Sequence, residues 1–229
     1  IVDRIDEIEH LEIVATEAGM DCQIRLVEER ARTYVARRRQ MTGPVGCGLC
    51  GVESLELAAP ALPRVPDAAA GSIPPQAIAD AVAAMAREQA LSRLTRAVHA
   101  AAWHRQGRGL VVTREDVGRH NALDKVAGNL ARAGIDPREG FLTITSRVSV
   151  ELIQKAARMG CGLLAAVSAP TALAIAEASA AGISLVAVVR GEHFEVFTHP
   201  GRIAGTEDLT APGNGAQAMT GQGRAVHGT

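Results

Sequence analysis

Between residues 141 and 189 the chain alternates short apolar runs with amphipathic stretches that end on glycine. The runs at 141–145, 163–167 and 183–189 read as strands. Residues 150–159, stopped by Gly160, and the segment opened by Pro170 and stopped by Gly182 read as helices. Strand, helix, strand, helix, strand at these intervals leaves few folds open, because parallel strands need crossovers and crossovers are right-handed. The runs are apolar without alternation, so the sheet needs helices on its faces. Upstream, residues 98–103 and 110–113 flank Arg105-Gln106-Gly107-Arg108-Gly109 as a hairpin, although the alanine run could equally extend the preceding helix. Asp116 is placed to cap a helix carrying Leu123, Val126, Ala127 and Leu130 and stopped by Gly134. A return strand at 194–197 makes the sheet mixed. The expectation is an α/β protein whose C-terminal domain, residues 76–203, is a three-layer mixed sheet.

The rest of the chain divides by pattern. Leu11, Ile13 and Ala15 alternate with polar residues, as do Cys22, Ile24 and Leu26, with a turn at Glu17-Ala18-Gly19-Met20 between them. This strand pair places Cys22 on an apolar face, as a buried thiol. It belongs to a small α+β portion, residues 1–57. Residues 58–75 are rich in Ala and Pro and read as a linker, after which Pro75 opens a helix with Ile78, Val82, Met85 and Ala86 on one face. Residues 204–229 read as a disordered tail, too poor in apolar side chains to offset the entropy of ordering. The formal charge of −1 on 229 residues supplies no global field toward nucleic acid or membrane, and no run approaches the ~20 apolar residues of a membrane span. The chain opens on Ile1 rather than methionine, as a piece of a longer protein would. Four cysteines without an export signal point to free thiols in the cytoplasm.

Two of those cysteines carry chemistry. Gly46-Cys47-Gly48-Leu49-Cys50-Gly51 presents paired thiols on a glycine-rich loop, where they can share a disulfide, hold half a metal site or pass sulfur. A structural zinc wants a second pair, and none is present. The deaminase pattern, H-x-E followed by P-C-x-x-C, is approached by His10-Leu11-Glu12 and Pro44, but Pro44 stands three residues before Cys47 instead of next to it. A thioredoxin-like site would lead from the pair into a helix, whereas a proline-rich stretch follows. A sulfur relay suits the swinging loop, and the arginines at 30, 32 and 37–39 would favour the thiolate.

Further polar constellations fall at the exits of the strands, where open α/β sheets gather ligands. They are Ser146 and Arg147 in Thr145-Ser146-Arg147-Val148-Ser149, Ser168 and Thr171 in Ser168-Ala169-Pro170-Thr171, and Arg190-Gly191-Glu192-His193. Arg119, His120 and Lys125, in the run Arg114-Glu115-Asp116-Val117-Gly118-Arg119-His120-Asn121-Ala122-Leu123-Asp124-Lys125, lie near a helix N-terminus suited to an anion. Converging Ser, Thr and Arg suit a phosphate-bearing ligand.

Cys47-Gly48-Leu49-Cys50-Gly51, the long run 114–125, Ser146-Arg147-Val148-Ser149 and Ser168-Ala169-Pro170-Thr171 together resemble the formate dehydrogenase accessory sulfurtransferase family, from residue 1 to about Arg202. The resemblance implies a sulfur carrier. Cys47 would take sulfur as a persulfide from a cysteine desulfurase, with Cys50 assisting, and pass it to the bis-molybdopterin guanine dinucleotide form of the molybdenum cofactor before insertion into formate dehydrogenase. It also implies a C-terminal domain like the cytidine deaminase fold without its zinc, a homodimer, and a cofactor-binding loop at Val188-Val189-Arg190-Gly191-Glu192-His193. The rival functions are a cofactor-binding chaperone without cysteine chemistry and a zinc-dependent deaminase-like hydrolase. Where the family has Thr-Gly-Gly, this chain has Thr95-Arg96-Ala97, and the family extends ahead of Ile1.

Overall fold

A computed structural model describes residues 2, 4–17, 19–40, 62–66, 72–206, 217–220 and 225–226, without the side chains of 36–40 and of the last two stretches. Cys47 and Cys50 lie outside the described residues. The chain forms two units, Ile1–Pro60 and Ala61–Thr229.

In the first unit, β1 (Ile8–Thr16) and β2 (Gly19–Leu26) pair antiparallel, with Ile13 opposite Cys22 and Leu11 opposite Ile24. Helix α1 (Glu28–Gln40) follows. Arg30 donates to the Glu7 carboxylate at 2.8 Å and ties the helix to the turn ahead of β1. The alternation holds, but burial does not. Ile13 is 60% and Ile24 54% exposed, and Cys22 is an exposed thiol rather than a buried one. A two-stranded ribbon has no second layer of its own to bury such a face.

The second unit contains an eight-stranded sheet. Helix α2 (Pro75–Glu88), with Pro75 in its first turn, and the short α3 (Ala90–Thr95) lead into a hairpin of β3 (His99–Arg105) and β4 (Gly109–Asp116). Then come α4 (Arg119–Ala133), β5 (Gly140–Ile144), α5 (Val150–Met159), β6 (Leu163–Ala166), α6 (Ala172–Ala181), β7 (Ser184–Arg190) and β8 (His193–Thr198). The order across the sheet is β4-β3-β5-β6-β7-β8, continued by β9 (Gln217–Thr220) and β10 (Ala225–Val226). Strands β5, β6 and β7 are parallel, and the other pairings are antiparallel. No helix among the described residues is long and apolar enough to cross a membrane.

The sheet is the middle of three layers. Leu123, Val126 and Leu130 of α4, Leu152 and Ile153 of α5, and Ala174 and Ala178 of α6 pack with Trp103, Leu142, Leu164 and Leu185 on one face. Ile78 and Ala81 of α2 pack with Phe141, Ala165, Val186 and Val196 on the other. Both crossover helices lie on one side for a topological reason. The strand order runs β5-β6-β7 without reversal, so each right-handed crossover falls on the same face. Gly140 permits the β3–β5 pairing at its start, since a Cβ there would sit 2.0 Å from the His104 carbonyl oxygen.

Local readings are adjusted at several places. The α4 N-cap is Gly118, while Asp116 accepts from Gly118 N at 2.8 Å and from the Asn121 amide. Helix α6 begins after Thr171, whose hydroxyl accepts from Ala174 N, so Pro170 precedes the helix instead of opening it. The described part of the 58–75 stretch is docked on the second unit. Val65 is buried and donates its N–H to Ala181 O at 2.8 Å, and Ile73 bridges Ile203. Arg202, itself buried, fastens this segment. Its guanidinium donates to Pro66 O at 2.8 Å, Gly182 O at 2.7 Å and Ser184 Oγ at 3.2 Å, and its carbonyl accepts from Ile73 N. Parts of the stretch read as a tail are described too. Thr206 is buried, and β9 pairs with β8, meeting backbone groups that a tail would leave open at a sheet edge.

Candidate site at the carboxyl ends of the parallel strands

Strands β5, β6 and β7 end side by side, and their exit loops are laced together. Val148 N donates to Ala169 O at 3.3 Å and Thr171 N to Val148 O at 3.0 Å; Val188 N donates to Ser168 O at 3.4 Å. The loops of Ser146–Ser149, Ser168–Thr171 and Val188–His193 therefore form one surface. Helices α5 and α6 start from it, after Ser149 and Thr171. Their free N–H groups and partial positive ends favour an anion there.

Val188 is the strained point of this surface. Its φ of 55° is left-handed, which a β-branched residue rarely adopts. It falls in an irregularity of the β7–β8 ladder between Ala187 and Arg190. The twist carries Val189 into the core and Arg190 to the surface, where its guanidinium donates to the carbonyls of Val167 and, at 2.9 Å, Val189. Arg190 thus spans the ends of β6 and β7. Gly191 at φ 58° and Glu192 turn the chain into exposed His193, which pairs with Arg190.

At the β5 exit Ser146 is buried and donates to Arg147 O at 3.1 Å, while Arg147 itself is exposed, with its guanidinium unpaired among the described residues. His120, in the first turn of α4, sits 3.4 Å from Ser149 Oγ and 3.9 Å from the Glu151 carboxylate, all through Nε2. Burial, then the Arg119 charge, hold its pKa below the ordinary histidine value, against the pull of Glu151. One nitrogen facing both groups does not make a Ser–His–acid relay, which uses the two ring nitrogens separately. Both Glu151 oxygens are buried without a hydrogen-bond partner. Glu151 is the residue missing from the sequence-derived constellations, and an acid in a first helical turn gives no special signal.

Much of the polar run 114–125 is structural. Glu115 accepts from Leu91 N at 2.9 Å and Ser92 N at 2.8 Å and so caps α3, and Lys125 pairs with Asp116 at 2.6 Å. Thr171 spends its hydroxyl on the α6 cap. Cys161 is buried, its thiol pushed up to about 12 by desolvation, and is chemically inert. Among the described residues no group of three or more His, Cys, Asp and Glu could hold a metal ion.

The model of the FdhD/NarQ family matches residues 1–204. The chain is 50% identical over 203 residues to a protein of Agrobacterium fabrum named sulfur carrier protein FdhD, covering 89% of this chain and 74% of that one. A protein of the same name from Brucella abortus is 52% identical over 203 residues, 89% of this chain and 75% of its own length. Among solved structures, a protein from Desulfotalea psychrophila described as a formate dehydrogenase accessory protein superposes with a TM-score of 0.65 at 25% identity, covering 88% of this chain and 73% of that one.

Proposed function

Since the chain belongs to the FdhD/NarQ family, we propose that it is a sulfur carrier in the maturation of formate dehydrogenase. Its relatives carry that name, and its structural neighbour is described by that accessory role. In this reading the Cys47 thiolate attacks the sulfane sulfur of a cysteine desulfurase persulfide. The desulfurase thiolate leaves, and the new persulfide stays on Cys47 with Cys50 as its assistant. The acceptor is the bis-guanine-dinucleotide molybdenum cofactor, handled as substrate, and the chain works as a cytoplasmic homodimer.

The observation that carries the cofactor half is the laced surface at the ends of β5, β6 and β7. The loops that carry Ser146, Arg147, Ser168 and Arg190 and the N-termini of α5 and α6 share that surface, which supports a diphosphate as its ligand. The strained Val188 supports the same reading, because strain of this kind concentrates where a ligand is gripped.

Intact mass after incubation with a cysteine desulfurase and cysteine tests the sulfur half. The parent should gain one sulfur, Cys50→Ala less, and Cys47→Ala none. A Cys47→Ala chain that still acquires cyanide-labile sulfur and activates formate dehydrogenase overturns it. Calorimetry with GDP tests the other half. Binding should weaken with added salt, and Arg190→Ala should lose roughly 1.5–3 kcal/mol. Equal affinity in the variant removes Arg190 from the site, and no GDP binding at all removes the site.

A further inference from the structure

Where α4 and α5 begin, a titratable pair stands against the laced surface. His120 belongs to the first turn of α4, Ser149 is the N-cap of α5, and Glu151 lies in the first turn of α5. Ser149 closes the β5 exit loop, but its hydroxyl does not cap the helix it precedes. It lies 3.4 Å from His120 Nε2 instead. Thr171, at the same position of α6, does cap its helix. His120 is thereby tied to the strand-exit loops, and a third of its side chain, 33%, is exposed to whatever binds there.

Glu151 is the unusual member. Both carboxylate oxygens are buried and neither has a hydrogen-bond partner. His120 Nε2 stands 3.9 Å away, beyond hydrogen-bond reach whichever tautomer the neutral ring takes. A protonated ring differs, because it carries a full charge and donates at both nitrogens. Closing the gap by about 1 Å would then give Glu151 a charge-assisted bond. The charges that act on His120 sit on α4 and α5. Burial, then Arg119, holds its pKa below the ordinary histidine value; Lys155 acts in the same direction, while Glu151 and Asp124 oppose. Lys155 and Asp124 pair with each other, so their effects largely offset. Without a ligand the imidazole is therefore mostly neutral at pH 7, and the Glu151 carboxylate has no counter-charge within hydrogen-bonding distance.

An anion on the laced surface changes that balance. Its charge favours the imidazolium, and the imidazolium screens it from Glu151. Resting on the reading of this surface as a diphosphate site, we propose that His120 takes up a proton from solvent when the diphosphate binds, with Glu151 as the positioning residue that holds the imidazolium in place. The lone pair of a ring nitrogen accepts the proton, and no other bond is made or broken. Ligand binding and pH are then linked, and affinity rises as pH falls through the range in which only the bound form of the ring is charged.

Calorimetry of GDP binding to the full chain, repeated in buffers of different ionisation enthalpy, counts the protons. At pH 7 the parent should take up about half a proton or more per GDP. Its affinity should rise about three- to tenfold between pH 7.5 and 6.5. His120→Gln should bind GDP with a flat profile over that range. It also carries whatever proton GDP itself exchanges, so the difference between parent and variant is the readout. Glu151→Gln should lose most of the uptake, its profile flattened toward that of His120→Gln. GDP binding to the parent with no more uptake than in His120→Gln overturns the proposal and leaves the site in place. A Glu151→Gln chain that keeps the parent's full uptake overturns it too, whether or not its affinity falls. No GDP binding at all removes the site and the coupling with it. GDP-mannose has no phosphate proton titrating in this range, so the parent's count with that probe decides the matter if a variant fails to fold.

Discussion

Arg96 and Val188 share an uncommon backbone, left-handed with φ of 52° and 55°, but for different reasons. Arg96 is the C-cap of α3, donating its N–H to Ser92 O at 2.8 Å. That position is usually filled by glycine, and its side chain is exposed. Arg96→Gly should therefore raise stability by about 0.5–1 kcal/mol, read as a higher urea midpoint at unchanged slope. A lower midpoint would show that the arginine side chain matters more than the torsion. Val188 packs partly against the core and belongs to the proposed ligand surface, so its strain is not expendable in the same way. His104 makes a second residue-scale prediction. Its pKa falls from 6.5 to about 4 on folding, through burial. The unfolded chain thus takes up a proton before the folded one does. Its contribution to stability is complete above pH 6.5 and declines as pH falls toward about 4, by on the order of 2–3 kcal/mol. His104→Phe should flatten that part of the stability–pH curve, measured by denaturant melts between these values. A curve with unchanged slope would assign the loss to other groups.

Glu115 shows how an element can depend on a residue outside it. Helix α3 is only six residues long, and two of its first N–H groups are met by this one carboxylate from β4. Glu115→Ala should cost about 1–2 kcal/mol and Glu115→Gln less, with added amide exchange confined to α3. Loss of protection across the whole sheet would contradict this local role. The contrast explains what was legible in the sequence. Gly134, Gly160 and Gly182 announced the ends of α4, α5 and α6 and sit at φ 62°, 74° and 74°, because a helix stop is a local event. The parallel order followed from spacing alone. Cys22 was misplaced because alternation reports a face but not what covers it. The docking of Val65 and Ile73 and the pairing of β9 with β8 were hidden for a related reason, since proline- and glycine-rich composition is silent about distant backbone partners. At the site, the loops at Ser146 and Ser168 followed from strand exits, whereas nothing in Val188-Val189-Arg190 demands a left-handed valine. Lys125 reads as an anion ligand in the sequence but pairs with Asp116, because charge in sequence does not distinguish an internal ion pair from a contact.

At the scale of the molecule the two units differ in what can sustain them. Every buried apolar side chain among the described residues lies between Val65 and Ile203, and the described part of the first unit buries none. Residues 61–229 expressed alone should keep a cooperative thermal transition, whereas residues 1–60 alone should show none by circular dichroism, since a lone hairpin is at best marginal in water. A fragment 61–229 without a transition would mean that the first unit stabilises the second. Within the larger unit, the buried Arg202 has a consequence for the order of events as the chain folds. It joins Pro66 and Ile73, ahead of the sheet, to Gly182 and Ser184 near its end, so its bonds to Pro66 and Ile73 close loops of more than a hundred residues. Contacts of such separation form after the strands between them have assembled. Arg202 is then a latch set last, and it governs how long the native state survives more than how fast it is reached. Arg202→Met should lower stability by about 2–4 kcal/mol, mostly as faster unfolding, with the refolding arm of the chevron little changed. If refolding slows by the full amount instead, the two ends of the unit meet early and the sheet condenses around them.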